Sequence, residues 1–150
     1  MLRQNDNYDS TISVIAKSII MSDFQTAIVP TLSVRKGAAA IEFYKKAFAA
    51  VELMRVESPD GLVVAELSIA NARFFIADES PKHGNLSPES AGGVTVRLGL
   101  FVADPDTVAG NAVAAGATLL YPVADQHYGY RLGAVKDPFG HVWEIARKIE

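Results

Sequence analysis

The chain has 150 residues, of which 49% are hydrophobic and 21% are charged, and its formal net charge is −3. This length fits one domain or two small fused halves, and the apolar content favours a compact fold over a disordered chain. The negative net charge gives no electrostatic basis for binding nucleic acid or an anionic membrane, so we expect neither as a partner.

Cysteine is absent, which excludes disulfides, thiolate metal sites and a cysteine nucleophile. No apolar run approaches the ~20 residues needed to span a bilayer. The one candidate for a signal peptide, at residues 12–21, is interrupted by Lys17 and is followed by no small-residue cleavage site. We therefore predict a cytoplasmic protein.

Residues 1–25 are interpreted as an N-terminal extension. They begin with polar residues and then carry apolar ones at roughly helical spacing, namely Ile12, Val14, Ile15, Ile19 and Ile20. A short amphipathic helix and a poorly ordered tail both fit this pattern.

Residues 26–78 read as a β-α-β-β-β unit. The apolar, β-branched segment 26–34 predicts a strand, and alanine and aromatic residues at helical spacing predict a helix at 37–50. Tight turns separate three further predicted strands, which lie at 51–57, 62–69 and 73–77.

The segment 79–93 contains two prolines and three glycines, a composition typical of a linker. After it, residues 94–148 repeat the same order of elements. Asp104 is predicted to cap a helix that has Pro105 at its first position and ends at Gly116. The predicted strands of this unit are 95–102, 118–123, 130–136 and 141–146. Two copies of one unit within a single domain at 26–150 suggest pseudo-twofold packing around a shared cleft.

The last hairpin carries the most specific pattern in the chain. Its two strands are joined by the turn Asp137-Pro-Phe-Gly140, in which proline fixes φ and glycine supplies the left-handed position. Because strand side chains alternate between faces, Glu144 and Trp143 are expected on opposite sides of the second strand. A carboxylate in this apolar setting is either an exposed residue or a functional group on a concave sheet face.

These segments resemble the vicinal oxygen chelate superfamily, which includes glyoxalase I, extradiol dioxygenases and the bleomycin and fosfomycin resistance proteins. The likeness covers about residues 26–148 and is greatest to the PhnB-like branch. Its most specific segments are Ile41-Glu-Phe-Tyr-Lys-Lys-Ala-Phe48, the helix end at 112–117 and the hairpin at 128–144. The resemblance implies an α+β fold in which two βαβββ units form a curved, cup-shaped mixed sheet, often completed in a homodimer.

Catalytic members of that superfamily hold one divalent metal with side chains from the first and fourth strand of each unit. In this chain the resemblance places those four positions at Val29, Phe75, Arg97 and Glu144. Only Glu144 can ligate a metal, because Val29 and Phe75 have no lone pair and Arg97 is a cation. If the matched position is moved by two residues, Gly99 takes the place of Arg97, and glycine has no side chain that could ligate a metal. We therefore expect the cup without the metal.

Two groups of residues are candidates for a site. Arg97 and Glu144 are expected to project into the cup, either as a structural ion pair that replaces the metal or as ligand-binding groups. The second group precedes the hairpin and consists of Gln126, His127, Tyr128, Tyr130 and Arg131. Its rings and polar heads suit stacking and orienting a small ligand, with His127 as a candidate general base, and they equally suit a surface turn covering the sheet edge.

The sequence therefore predicts a homodimeric small-molecule-binding protein with no catalytic metal. The predicted ligand contacts are Arg97, Glu144, Phe75, Tyr128, Tyr130, Trp143 and His127, and no catalytic residue is assigned. Two alternatives stay open. One is a metal-dependent lyase, isomerase or dioxygenase with its metal on Glu144, and the other is a fold kept for subunit interaction.

Overall fold

The computed structural model describes residues 10–14 and 24–150. Residues 10–14 form a short helical segment with exposed side chains. Most of the predicted N-terminal extension lies outside the described residues. Within the described part of the chain, no helix is both long and apolar enough to cross a membrane.

The first unit forms a four-stranded mixed sheet, sheet 1, with one helix. Its elements are β1 (Thr31–Val34), α1 (Gly37–Phe48), β2 (Val51–Glu57), β3 (Val63–Ile69) and β4 (Ala72–Asp78). The strand order is β1-β4-β3-β2, with β1 parallel to β4 and the other pairs antiparallel. Strand β1 begins later than the predicted 26, because Pro30 has no N–H to donate and β1 is an edge strand that pairs only with β4.

The predicted linker contains two short helical pieces. One is a 3₁₀ turn at Pro81–His83, and the other is α2 (Pro88–Ala91). The side chain of Ser87 caps α2 by accepting a hydrogen bond from the backbone N–H of Ser90. The linker is thus ordered by local hydrogen bonds.

The second unit repeats the topology in sheet 2. Its elements are β5 (Leu98–Phe101), α3 (Pro105–Ala115), β6 (Thr118–Asp125), β7 (Tyr130–Lys136) and β8 (Val142–Lys148). The order β5-β8-β7-β6, with β5 parallel to β8, matches that of sheet 1. The predicted α+β class with two βαβββ units is therefore confirmed.

The two main helices are capped in different ways. Asp104 accepts the backbone N–H of Thr107 at 3.1 Å, as its position before Pro105 predicts. Helix α1 has no side-chain cap from its own N-cap residue. The Asp78 carboxylate at the end of β4 instead accepts the N–H of Gly37 and that of Val63, each at 2.7 Å. A carboxylate from the sheet therefore holds the start of α1 in place.

One core spans both units. Helix α1 packs on sheet 1, α3 packs on sheet 2, and the two helices pack against each other. Phe74 of β4 meets Trp143 of β8 with ring centroids 5.7 Å apart, and Tyr44 and Phe48 of α1 join this aromatic cluster. Each sheet therefore has an inner face in this shared core and an open face directed away from it.

The buried carboxylate of Asp137 joins the two units. It is only 3% exposed and accepts four hydrogen bonds. Its Oδ2 accepts the hydroxyl of Tyr44 at 2.5 Å and the indole N–H of Trp143 at 3.0 Å. Its Oδ1 accepts the backbone N–H groups of Phe139 and His141 at 2.9 and 3.0 Å. The hairpin turn is thus tied to the helix of the other unit.

Replacement of Asp137 by alanine leaves these four buried donors without an acceptor. We expect Asp137→Ala to lower the free energy of unfolding by about 3 kcal/mol. Asp60→Ala, in the exposed turn between β2 and β3, is the matched control and should cost less than about 0.5 kcal/mol. Urea denaturation of both variants measures this difference. Equal effects of the two substitutions would contradict the role of Asp137.

Alkaline pH should weaken the same contact. Burial, followed by the nearby Asp137 carboxylate, raises the pKa of Tyr44 well above its usual value of about 10. The folded state therefore retains the Tyr44 proton more tightly than the unfolded chain does, and the stability this contributes is complete below pH ~10 and lost as pH rises further.

Tyr44→Phe removes both the hydrogen bond and this titration. At neutral pH we expect the variant to be less stable than the native protein by ~1 kcal/mol. Above pH ~10 the gap should shrink, because only the native protein loses the Tyr44 contribution. Urea denaturation at intervals from pH 7 to pH 11 measures the gap, and parallel stability curves would disprove this linkage.

Candidate functional site

Glu144 projects from the middle of sheet 2 on its open face. Strand β8 lies between β5 and β7, and Glu144 is in register with Gly99 on one side and Ala134 on the other. Ala134 and Ala146 on this face are almost fully buried and lie outside the central core. These two alanines are covered by neighbouring groups, whereas the Glu144 side chain is 23% exposed.

Arg97 binds Glu144 directly. Its Nε lies 3.1 Å from Oε1 of Glu144 in an ion pair, and its side chain is 68% exposed. Arg97 precedes the first residue of β5, so it approaches the carboxylate from the edge of the sheet. The two predicted residues are therefore in contact.

Tyr121 is a third member of this group that the sequence did not reveal. Its hydroxyl donates to the same Oε1 of Glu144 at 3.4 Å. Partial burial raises the pKa of Tyr121, and the negative charge of Glu144 and the hydrogen bond to it raise it further. Leu119 pairs with Val135 of the core, so strict alternation along β6 would place Tyr121 on the core side as well. Register shifts on both sides of Tyr121 break this alternation and put it opposite Ala134 on the face of Glu144.

Aromatic rings continue from this group along the open face. The ring centroid of Tyr128 lies 5.1 Å from that of His127 and 6.1 Å from that of Tyr130, and Tyr130 lies 6.0 Å from Phe101. Phe101 extends over Gly99, where an added Cβ would be 3.2 Å from its ring. The predicted residues His127, Tyr128 and Tyr130 therefore form one row with Phe101.

Two other residues of the same predicted group have local structural contacts. Arg131 donates to Asp106 of α3 and to Asp125, which ties β7 to α3 and to the end of β6. The side-chain amide of Gln126 donates to the backbone carbonyl of Ala124. These contacts account for both residues without a ligand.

Trp143 does not belong to this face. It is 4% exposed, lies in the core and donates its indole N–H to Asp137. The prediction that Trp143 lines the cup is wrong, because it is adjacent to Glu144 on β8 and strand side chains alternate between faces.

Phe75 lies on the open face of sheet 1, where it is in register with Glu66 of β3 and Thr31 of β1. The neighbours of Phe75 and Glu144 along their strands, Phe74 and Trp143, meet in the core. Phe75 and Glu144 therefore face outward in different directions. A single chain does not bring these two predicted residues together.

The four positions expected to hold a metal give a poor donor set. The cross-strand partners of Phe75 and Glu144 on the first strands are Thr31 and Gly99, and Val29 and Arg97 lie two residues earlier, before those strands begin. Whether Thr31 and Gly99 or Val29 and Arg97 are taken as the first-strand positions, the four residues include one carboxylate, that of Glu144. Over residues 10–14 and 24–150, no group of three or more His, Cys, Asp or Glu side chains is placed to hold a metal ion. These residues do not fit a catalytic divalent metal.

Comparison with known proteins is consistent with this architecture. Residues 26–145 match the family model of the glyoxalase/bleomycin resistance protein/dioxygenase superfamily. An uncharacterized protein of Mycobacterium bovis is 41% identical over 129 residues, which are 83% of this chain and 85% of that protein. An uncharacterized protein of Arabidopsis thaliana is 30% identical over 141 residues, 87% of this chain and 81% of that protein.

Solved structures share the fold. The Arabidopsis thaliana structure has a TM-score of 0.63 and is matched over 82% of this chain and 99% of its own length. A mutant of the fosfomycin resistance protein FosX of Listeria monocytogenes, complexed with Mn(II) and a dihydroxypropylphosphonic acid, has a TM-score of 0.61 at 17% identity, covering 81% of this chain and 89% of that one. By its sequence and its fold, this chain belongs to the glyoxalase/bleomycin resistance protein/dioxygenase superfamily.

Proposed function

We propose that the protein binds a small organic molecule on the open face of sheet 2 and does so without a catalytic metal. The state of Glu144 is the observation that carries this proposal. It is the only carboxylate at the four expected metal positions, and Arg97 and Tyr121 already bond to it. The surroundings of Glu144 therefore suit an organic ligand better than a metal ion.

The aromatic row supplies the contact surface. Phe101 and Tyr128 are exposed, and exposed rings beside polar groups are typical of ligand sites. The Arg97–Glu144 pair would orient the polar end of such a ligand.

A second copy of the chain completes the site in this proposal. The open face of sheet 1 exposes four apolar side chains, Val51, Met54, Val56 and Val64. A twofold contact that sets sheet 1 of each copy against sheet 2 of the other would cover these side chains in two equal sites. Each site would then combine Glu144 with Phe75 of the partner subunit. We also propose that the protein belongs to the PhnB-like branch of the superfamily and that it is cytoplasmic.

The competing function is a metal-dependent lyase, isomerase or dioxygenase. The Mn(II) complex of the Listeria monocytogenes protein favours it, because that protein shares this fold. In this chain Glu144 is the residue that would ligate the metal, and displacement of Arg97 would have to precede binding.

Metal analysis separates the two functions. We expect protein purified without chelator to hold much less than one metal per chain. We also expect Ni, Zn, Mn and Fe(II) to leave its melting temperature unchanged, because one arginine-bound carboxylate is a weak ligand set. Elemental analysis and thermal-shift titrations provide the measurements. Stoichiometric metal that is lost in Glu144→Ala would refute the metal-free binder and establish the enzyme.

Oligomeric state tests the shared site. We expect the native protein to be a dimer by light scattering and Val56→Asp to be largely monomeric, since the substitution puts a charge on the open face of sheet 1. Val113→Asp, at an exposed position of α3, is the matched control and should remain dimeric. A native protein that stays monomeric at every concentration would exclude a site shared between subunits.

A further inference from the structure

Arg97 has an exposed guanidinium that pairs with Glu144 through charge alone. Its Nε lies 3.1 Å from Oε1 of Glu144, and the guanidinium donates no hydrogen bond to any acceptor among residues 10–14 and 24–150. Arg131 differs, because Nε and both of its terminal nitrogens donate to carboxylates. Arg55 also uses a terminal nitrogen as well as Nε. The N–H groups of the Arg97 guanidinium are therefore free to donate hydrogen bonds to a ligand.

The ion pair places this guanidinium beside the Glu144 carboxylate. The carboxylate is 23% exposed and also accepts a hydrogen bond from Tyr121. Arginine binds carboxylate and phosphoryl groups through two parallel N–H donors in a planar fork. An exposed fork beside an aromatic row is ready to receive an oxyanion.

The charge of the open face of sheet 2 favours the same ligand. Cross-strand register places Lys136 beside Val142 and Lys148 beside Tyr130, and both lysines are exposed. With Arg97 they make three cations on this face, where the described carboxylates are those of Glu144 and of Glu150, which lies beside Gly129. An anion can approach Arg97 and the two lysines directly, whereas a cation would have to displace Arg97 from Glu144.

We propose that the ligand is an organic anion whose carboxylate or phosphoryl oxygens bind the terminal nitrogens of Arg97. Its apolar or aromatic part lies on Phe101, Tyr128 and Tyr130. This inference rests on the proposed function and narrows it to a chemical class.

Four probes of similar size and different charge test whether the ligand is an organic anion. Benzoate and phenylphosphonate are the anions, benzyl alcohol is neutral and benzamidine is a cation, each titrated at constant ionic strength and followed by protein NMR. We expect the two anions to bind and to shift signals of Tyr128 and Tyr130. The other two should bind at least about tenfold more weakly, because they lack an oxyanion for the arginine fork.

Three variants test whether Arg97 binds the anion. Arg97→Gln should weaken binding of both anions by at least about tenfold, and Arg97→Lys should restore only part of it, because lysine keeps the charge without the fork. Arg147→Gln is the matched control. It removes the same charge from the same strand as Glu144, on the opposite face, and should leave anion binding unchanged.

The outcomes separate this inference from the function on which it rests. Binding of benzamidine instead, lost in Glu144→Gln, would overturn the anion proposal and leave a small-molecule site in place. Anion binding that survives Arg97→Gln would also overturn it. Failure of all four probes to bind would count against both the anion class and the proposed function.

Discussion

The hydrogen bonds to the Asp137 carboxylate are the contact on which the rest of the structure depends. They join the Tyr44 hydroxyl of the first unit to the turn and the indole of Trp143 in the second. A buried carboxylate is costly to desolvate, and four donors offset that cost only if both units dock in one arrangement. This network therefore sets how the two sheets meet as well as adding stability.

That arrangement decides which strand faces remain open. Since Phe74 and Trp143 meet in the core, the alternation of strand side chains directs Phe75 and Glu144 outward on separate sheets. One chain thus presents two different faces. One carries exposed aliphatic side chains and the Arg73–Glu66 ion pair beside Phe75, and the other combines aromatic rings with the Arg97–Glu144 pair. The residues expected around one cup belong to two surfaces, which is why the proposed site involves a second copy.

Much of the fold could be predicted because its signals are local. The cap formed by Asp104 and the turn at 137–140 depend on neighbouring residues, and the structure has both. The start of β1 was predicted too early because an edge strand has a partner on one side only, so its apolar pattern does not define where pairing begins. Tyr121 was missed because irregular pairing in β6 breaks the period of two on which strand predictions rest.

The sequence by itself determined the repeat of two βαβββ units, since hydrophobic periodicity is sufficient for it. Only the tertiary structure decided that Trp143 lies in the core, that Tyr121 reaches Glu144 and that Arg97 pairs with Glu144. These contacts join residues that are far apart in the chain, as Tyr44 and Asp137 are, 93 positions from each other. Such pairs depend on how helices and sheets dock, and local patterns carry no information about docking.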